Sequence, residues 1–249
     1  MKRSTLLVAL ALLLAALPAA AANNMLGRGI DPWTTVPQGT FTDLRNNPIP
    51  AGFFCAQSQP FNGRIWLRGV PLASDNKAAL GTTDTVVERL DDAVFNKRGV
   101  ARTRVKVRAL QLIGIDTFKT ACGEYFVHVT LDNEQPTSLM RIFRDDAKGG
   151  RFQVDLRVNA KLVFTRVDNS AERLELADPV SLPTTPYARW SYRQTVPTAK
   201  RVGTVTVDTD WDGTPDTLLP GTSNFVAGRG GSTKLINQDA IHAGHEVEN

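Results

Sequence analysis

The chain has 249 residues, a formal net charge of +4 and a hydrophobic share of 42%. This length suits one large domain, alone or with an appendage, and the hydrophobic share is ordinary for a globular protein. So small an excess of cations gives no basis for expecting nucleic acid as a partner.

Residues 1–22 are predicted to be a secretory signal. Lys2 and Arg3 form a charged start, an apolar run follows at residues 6–17, and small residues end the segment. This order is typical of a cleaved export signal, and the apolar run is too short to span a bilayer. No later stretch is apolar over enough residues to predict a membrane helix. We therefore expect an exported protein that resides in the periplasm or outside the cell.

Residues 23–50 are rich in Pro, Gly, Asn and Thr and show no sustained period, which predicts an extended lead-in. The main domain is predicted at residues 51–195. Residues 196–249 are predicted to hold a linker, an aspartate-rich loop and a flexible tail with many Gly and Ser residues.

Alternation of polar and apolar residues dominates the main domain. Residues 125–131 alternate in this way, and residues 152–164 keep the same period over an unusual length. A period of two predicts strands with one buried face, and turn clusters between such strands are typical of an antiparallel β-sandwich. The longer strand is expected to bend or break near Asn159. The segments before and after Asp132 have a similar plan, so two stacked half-domains are an open alternative.

The two cysteines, Cys55 and Cys122, are predicted to form a disulfide. An exported chain meets an oxidising environment, which favours this bond over two free thiols. The chain-entropy model gives roughly 4 kcal/mol of stabilisation for closing a loop of 67 residues.

An aspartate-rich segment has the spacing of a calcium-binding loop. Oxygen atoms at loop positions 1, 3, 5, 7 and 9 bind Ca²⁺, while a glycine at position 6 allows the sharp turn. Gly213 occupies position 6. The predicted ligands are Asp208, Asp210, Asp212, Asp216 and the backbone carbonyl of Thr214. The alternative is an acidic surface turn without a bound ion.

The segment from Asp208 to Asp216 resembles a thrombospondin type 3 repeat and, more loosely, an EF-hand or dockerin loop. The resemblance implies a structural Ca²⁺ in a protein that works outside the cell. Type 3 repeats occur in tandem, whereas this chain has one copy, and Leu219 stands where an EF-hand carries a bidentate Glu. The loop is therefore expected to bind Ca²⁺ weakly, with a Kd on the order of 10⁻⁴ to 10⁻³ M.

A basic stripe is predicted on one strand of the main domain. Four cations alternate with uncharged residues, so all four would project from the same strand face. They are Arg102, Arg104, Lys106 and Arg108. The stripe fits a sulfated, phosphorylated or carboxylated polymer. The favoured interpretation is a solvated face whose cations prevent edge-to-edge pairing.

Three aromatic residues, Trp66, Trp190 and Tyr192, are candidates for stacking on sugars, although such residues more often belong to the core of a β-sandwich. The sequence has no Gly-x-Ser-x-Gly elbow and no Gly-rich phosphate loop. We therefore expect a non-enzymatic binding or structural protein whose partner is a glycan, a cell-envelope component or another exported protein. The alternatives are a secreted polysaccharide hydrolase with two facing carboxylates, and a component of a cell-surface assembly.

Overall fold

The computed structural model describes residues 24–35, 40–72, 83–184, 187–192, 205–207, 214, 217–219 and 225–227. These residues form strands, turns and loops without a helix, and their strand pairings are antiparallel. The prediction of an all-β, antiparallel fold is thereby confirmed. Within the described ranges, no helix has the length and apolar character that a membrane crossing requires.

The described residues form seventeen strands. They are β1 (Met25–Leu26), β2 (Gly29–Trp33), β3 (Phe41–Asp43), β4 (Arg64–Gly69), β5 (Thr85–Arg89), β6 (Ala93–Val94), β7 (Val100–Gly114), β8 (Phe118–Thr120), β9 (Gly123–Leu131), β10 (Thr137–Asp146), β11 (Gly149–Gln153), β12 (Asp155–Arg166), β13 (Arg173–Pro183), β14 (Ala188–Tyr192), β15 (Val205–Val207), β16 (Thr217–Leu219) and β17 (Phe225–Ala227). β1 pairs with β6 and β15 with β16, whereas the other thirteen strands form one sheet.

The thirteen-stranded sheet divides into two halves that share β7. Residues 100–110 of β7 pair with β10 and β5, which gives a first half in the order β2-β5-β7-β10-β11-β14-β17. Residues 111–114 pair with β9 and β4, which gives a second half in the order β3-β4-β7-β9-β12-β13, with β8 also paired to β9. Each half takes strands from both sides of Asp132, so the halves are interleaved along the chain.

Each half curls until its two outermost strands approach each other. In the first half, β17 lies next to β2. In the second half, Thr42 on β3 donates a hydrogen bond of 2.5 Å to Asp178 on β13, and both side chains are buried. Curling turns one face of each half inward, and the apolar residues on the inner faces form a continuous core.

The alternating run at residues 152–164 divides at Val154, which corrects the predicted bend near Asn159. β11 ends one residue before Val154 in the first half, and β12 begins one residue after it in the second half. The Val154 NH donates to the Thr184 hydroxyl at 2.9 Å, and the Val154 carbonyl accepts from the Thr184 NH at 2.9 Å. Because Thr184 satisfies both backbone groups, the chain crosses between the halves without an unpaired buried amide.

Strands outside the predicted limits of the main domain contribute to its core. β2 and β3 lie in the predicted lead-in, yet they pair with β5 and β4. β17 lies in the predicted tail, yet it pairs with β14. The rings of Trp33 and Phe225 both pack on Phe152, at centroid distances of 5.1 and 5.4 Å. The packed domain therefore extends beyond residues 51–195 at both ends.

Cys55 and Cys122 form the predicted disulfide, with their Cα atoms 6.0 Å apart. The bond joins the loop before β4 to the turn between β8 and β9. Next to it, six aromatic rings contact one another at centroid distances of 4.8 to 5.8 Å: Phe53, Phe54, Phe61, Phe118, Tyr125 and Phe164. A disulfide is compatible with an exported protein.

A fully buried ion pair lies inside the first half. The Nε of Arg89 is 2.8 Å from the Oδ2 of Asp31, and neither side chain is accessible to solvent. Arg89 also donates to the carbonyl of Gly27, and its guanidinium lies 5.3 Å from the centre of the Phe225 ring. A buried charge costs several kcal/mol unless a partner and hydrogen bonds compensate it. The pair therefore fixes β2, β5 and β17 relative to one another.

We expect Arg89→Met to destabilise the fold by roughly 3 to 5 kcal/mol, because it removes the positive charge that compensates the buried Asp31 carboxylate. Urea unfolding curves measure this loss. The double variant Asp31→Leu/Arg89→Met should recover most of it, since neither buried charge remains. Arg104→Met, which removes an exposed arginine from β7, is the control and should barely move the unfolding midpoint. A loss no larger than that of the control would contradict the structural role of the pair.

Candidate functional site

Cations are concentrated on the outer face of the first half, in a region that we name the arginine face. They project from four neighbouring strands, β7, β10, β11 and β14. The cations are Arg102, Arg104, Lys106, Arg108, Arg141, Arg151 and Arg189. The acidic residues paired with them are Glu88, Asp91, Glu134 and Asp145. Seven cations stand against four carboxylates, which leaves an excess of three positive charges among these residues.

β7 carries the predicted basic stripe, and three of its four cations are ion-paired. The pairs are Arg104–Asp91 at 2.7 Å, Lys106–Glu134 at 3.3 Å and Arg108–Glu88 at 2.5 Å. Arg104 donates two hydrogen bonds to Asp91 and thereby lowers the pKa of that carboxyl to about 2. These partners support the interpretation of this part of the stripe as a solvated face.

Two pairs of arginines face each other directly across neighbouring strands. The register places Arg102 opposite Arg141, and Arg151 opposite Arg189. Like charges directly opposite each other destabilise a sheet. Arg151 has an ion pair with Asp145 at 3.2 Å, whereas the other three have no carboxylate partner in the part of the chain that the structure describes. This part of the arginine face therefore holds uncompensated positive charge.

Two aromatic rings lie among these arginines. Phe143 and Tyr187 contact each other edge to face, with their centroids 5.6 Å apart. The Arg141 guanidinium lies 5.3 Å from the centre of the Phe143 ring, and that of Arg151 lies 5.4 Å from the centre of the Tyr187 ring. Cation–π contacts restrict a guanidinium while leaving the N–H donors at its edge accessible to an anion.

A pair of glycines brings β10, β11 and β14 close enough to place these arginines together. Gly149 has a φ of 150°, and a Cβ at this position would lie 2.2 Å from the carbonyl oxygen of Trp190. A Cβ on Gly150 would lie 2.0 Å from the carbonyl oxygen of Phe143. Only glycine permits this approach, so the turn fixes the position of Arg151 between its two neighbouring strands.

A groove of about 270 Å³ lies at one end of the arginine face. It is lined by Lys106, Arg108 and the turn at residues 131–135. Gln135 holds this turn in place, because its side chain donates to the carbonyl of Asn159 at 2.7 Å. Since two cations of the stripe line the groove, the groove and the arginine face form one continuous surface.

Most of the predicted calcium site lies outside the described residues. The ligands concerned are Asp208, Asp210, Asp212 and Asp216. The fifth, Thr214, is exposed, and the flanking strands β15 and β16 pair with Val207 opposite Thr217. This pairing places the two ends of the aspartate segment side by side. Elsewhere in the described ranges, no group of three or more His, Cys, Asp or Glu side chains is arranged to hold a metal ion.

Asp84 is a buried carboxyl group at the junction of the two halves. Burial raises its pKa to about 7. It accepts hydrogen bonds of 2.8 to 3.1 Å from the NH and hydroxyl of Thr35 and from the hydroxyl of Thr85. A Cβ added to Gly69 would lie 1.7 Å from its Oδ2. Catalytic carboxyls often have raised pKa values, but a group enclosed on every side in this way has a structural role.

The three aromatic candidates for sugar stacking lie in different environments. Trp190 is buried, stacks 5.3 Å from Phe225 and donates its indole NH to the carbonyl of Phe143 at 3.1 Å. Tyr192 is half-buried against the core. Trp66 is 46% exposed on the outer face of the second half. Trp190 and Tyr192 therefore belong to the core of the domain, whereas Trp66 is accessible to a ligand.

The sequence did not reveal Arg141, Arg151 and Arg189 as members of the site. Each lies at an outward position of an alternating strand, which is visible in the sequence. Their proximity to Arg102 depends on strand order and register, which no single-strand pattern specifies.

Comparison with known proteins finds no family model, no curated protein and no solved structure that matches this chain. The geometry and charge of the molecule therefore carry the evidence for its function, above all the opposed arginines of the arginine face.

The free energy of unfolding should depend on pH through Asp84. Between about pH 4 and pH 7 the folded protein holds a proton on Asp84 that the unfolded chain has lost, so this contribution to stability falls as the pH rises. His128 acts in the opposite direction, because burial lowers its pKa to about 4 and stability is lost below the unfolded value of 6.5.

Comparison of the wild type with Asp84→Asn separates the two effects, since both proteins retain His128. The difference in unfolding free energy, wild type minus variant, should fall from about pH 5 to about pH 7 by at most ~1.4 kcal/mol per pH unit and then level off. Urea unfolding at a series of pH values measures it. Asp91→Asn is the control, because the pKa of Asp91 is about 2 and this residue does not titrate in that range. A constant difference for Asp84→Asn would show that its carboxyl keeps an ordinary pKa.

Proposed function

We propose that this is an exported, non-enzymatic binding protein whose arginine face holds an acidic polymer bearing sulfate, phosphate or carboxylate groups. The two directly opposed arginine pairs, Arg102–Arg141 and Arg151–Arg189, carry this proposal. A solvated face without a ligand would gain stability if either member of such a pair were replaced. A bound anion placed between two opposed guanidiniums would neutralise their mutual repulsion, so the pairs suit a face that binds an anionic ligand.

The dimensions of the face suit an extended polymer. Neighbouring strands are spaced by about 4.8 Å, so the four strands from β7 to β14 span roughly 14 Å. The cations are therefore distributed across the strands and not gathered into a pocket for one small anion. The groove beside Lys106 and Arg108 continues the surface at one end.

Arginine suits this ligand class chemically. Its guanidinium offers a planar set of donors that bind carboxylate, sulfate or phosphate groups through two parallel hydrogen bonds. Phe143 and Tyr187 restrict two of the guanidiniums before a ligand arrives, which lowers the entropic cost of binding. The strands that carry them belong to a packed sheet, so the donor positions are set in advance.

Calcium is proposed to have a structural role near the C-terminus. The aspartate segment repels itself without a cation, because neighbouring carboxylates cost on the order of 1 to 4 kcal/mol per pair at the dielectric constant of a wet surface. The pairing of Val207 with Thr217 supports the proposal, since it sets the two residues that flank the segment opposite each other. A bound Ca²⁺ would neutralise the aspartates and order that loop.

Affinity for heparin, a sulfated and carboxylated polymer, tests the anion site. We expect Arg102→Gln/Arg141→Gln to weaken binding roughly tenfold or more and to reduce the salt dependence by about one unit of slope per lost contact. The same variant should be no less stable than the wild type, because its removed charges repelled each other. Calorimetry over a range of salt concentrations and a thermal melt give both quantities.

The matched control is Arg104→Gln/Arg108→Gln, which removes the same charge from ion-paired positions on the same face. Its effect on heparin affinity should be clearly smaller, since Asp91 and Glu88 already engage these arginines. Equal losses in the two variants would show that bulk charge, and not the opposed arginines, attracts the polymer. Absence of heparin binding by the wild type would refute the proposal directly.

Thermal unfolding with millimolar Ca²⁺ and then with a chelator tests the calcium loop. Because a ligand that binds the folded state raises its melting temperature, Ca²⁺ should raise the midpoint of the wild type. Asp210→Asn/Asp212→Asn should remove this shift without lowering the midpoint in chelator. If calorimetry detects no Ca²⁺ binding to the wild type, the segment is an acidic turn.

A further inference from the structure

We infer that a second ligand site, for an extended neutral glycan chain with β-1,4 linkages, lies on the outer face of the second half. Exposed apolar side chains form a row there across four neighbouring strands, which we name the aromatic ridge. The ridge consists of Trp66 on β4, Ile115 just after β7, Phe126 on β9 and Val167 just after β12. Their exposed fractions are similar, between 43% and 49%.

Backbone pairing places these residues side by side. Ile115 donates its NH to the carbonyl of Trp66 at 2.9 Å. The described pairing of β7 with β9 ends at Ile113 opposite His128, and β8 then pairs Phe118 with Tyr125, so the bend that contains Ile115 runs alongside Phe126. Val167 donates to the carbonyl of Glu124 at 2.9 Å, so it lies diagonally next to Phe126. The ridge is therefore one contiguous surface.

The indole of Trp66 is supported from one side. Phe41, which lies opposite it on β3, is buried and meets it edge to face at a centroid distance of 5.2 Å. Arg64 occupies the next outward position of β4, and its guanidinium lies 4.5 Å from the centre of the same Phe41 ring. These contacts fix the orientation of the indole before a ligand binds, so little side-chain entropy is lost on binding.

Charged groups flank the rings. Arg64 lies 3.1 Å from Asp43, and Arg45 donates further hydrogen bonds to Asp43, which together hold the pKa of this carboxyl well below its usual range. Arg68 occupies the outward position on the other side of Trp66. Arg64 and Arg68 therefore place N–H donors on either side of the indole, where they can hydrogen-bond to hydroxyl groups of a ligand stacked on it.

A sugar chain has the matching chemistry. Each pyranose ring presents an apolar face of C–H groups, which stacks on an aromatic ring, and an edge of hydroxyl groups, which accepts and donates hydrogen bonds. The strands that carry Trp66 and Phe126, β4 and β9, are two interstrand spacings apart, or about 9.6 Å, which is close to the length of one disaccharide in an extended β-1,4-linked chain. The two rings would therefore contact alternate sugars, with Ile115 beneath the sugar between them.

Calorimetry of the exported chain with cellohexaose and chitohexaose tests the site. At least one of the two should bind, and Trp66→Ala and Phe126→Ala should each weaken that binding at least tenfold. Trp66→Phe should retain part of the affinity because it keeps a ring. Tyr187→Ala, which removes an exposed aromatic residue from the first half, is the matched control and should leave the affinity unchanged. A thermal melt confirms that each variant is folded.

Two results would overturn the inference: failure of both hexasaccharides to bind, or unchanged affinity in Trp66→Ala. A third result would replace it. If sedimentation shows a dimer of the wild type that Trp66→Ala dissociates, the ridge is an interface between two copies of this chain. Arg102→Gln/Arg141→Gln should bind the hexasaccharide as the wild type does, so this site and the proposed anion site can fail independently.

Discussion

The alternation of side chains along β7 is the constraint on which both faces of the first half depend. Ala101, Thr103, Val105 and Val107 point inward and are buried, while the four cations of the stripe point outward. A shift of register by one residue would bury four charges at once, and each buried unpaired charge costs several kcal/mol. The charges therefore specify the register of the central strand, and through it the positions of β5 and β10 on either side.

The transition between the two halves also occurs within β7. A register irregularity between Val86 and Val87 of β5 lies opposite residues 107–109, and beyond it Ala109 and Leu110 are both buried. Asp84 is placed just there, because its carbonyl accepts the NH of Gln111 at 2.9 Å. A bulge increases local twist, which lets one strand leave the first half and enter the second. The Asp84 carboxyl and the bulge therefore stabilise the junction between the two halves. This junction separates the outer face of the first half from that of the second.

Properties confined to single strands were predictable from the sequence, and properties of strand pairs were not. Alternation predicted the all-β fold and the outward stripe, and the expectation of an exported chain predicted the Cys55–Cys122 bond. The crossing at Val154 was missed because Thr184, thirty residues away, supplies its hydrogen bonds. The opposed arginines were missed for the same reason, since a repeated period shows which face a cation occupies but not which strand lies beside it. The burial of Phe225 likewise depends on β14, a distant strand.

Prolines lie along the outer side of β13, which is one of several edge strands of the sheet. Among the described residues β13 pairs only with β12, so its other side is an edge. The Asn159 NH donates to the Gln135 side chain, and the Asn159 carbonyl accepts from the Asp132 NH, so neither backbone group of Asn159 points toward β13. Pro179 lies opposite Asn159 on β13. In such a non-hydrogen-bonded pair the backbone groups of both residues point away from each other, so those of Pro179 point toward the outer edge. Pro183 lies four residues further along β13, so its backbone points toward the same edge. Proline has no NH to donate to an added strand. With donors missing at two outward positions, this edge resists the addition of another strand.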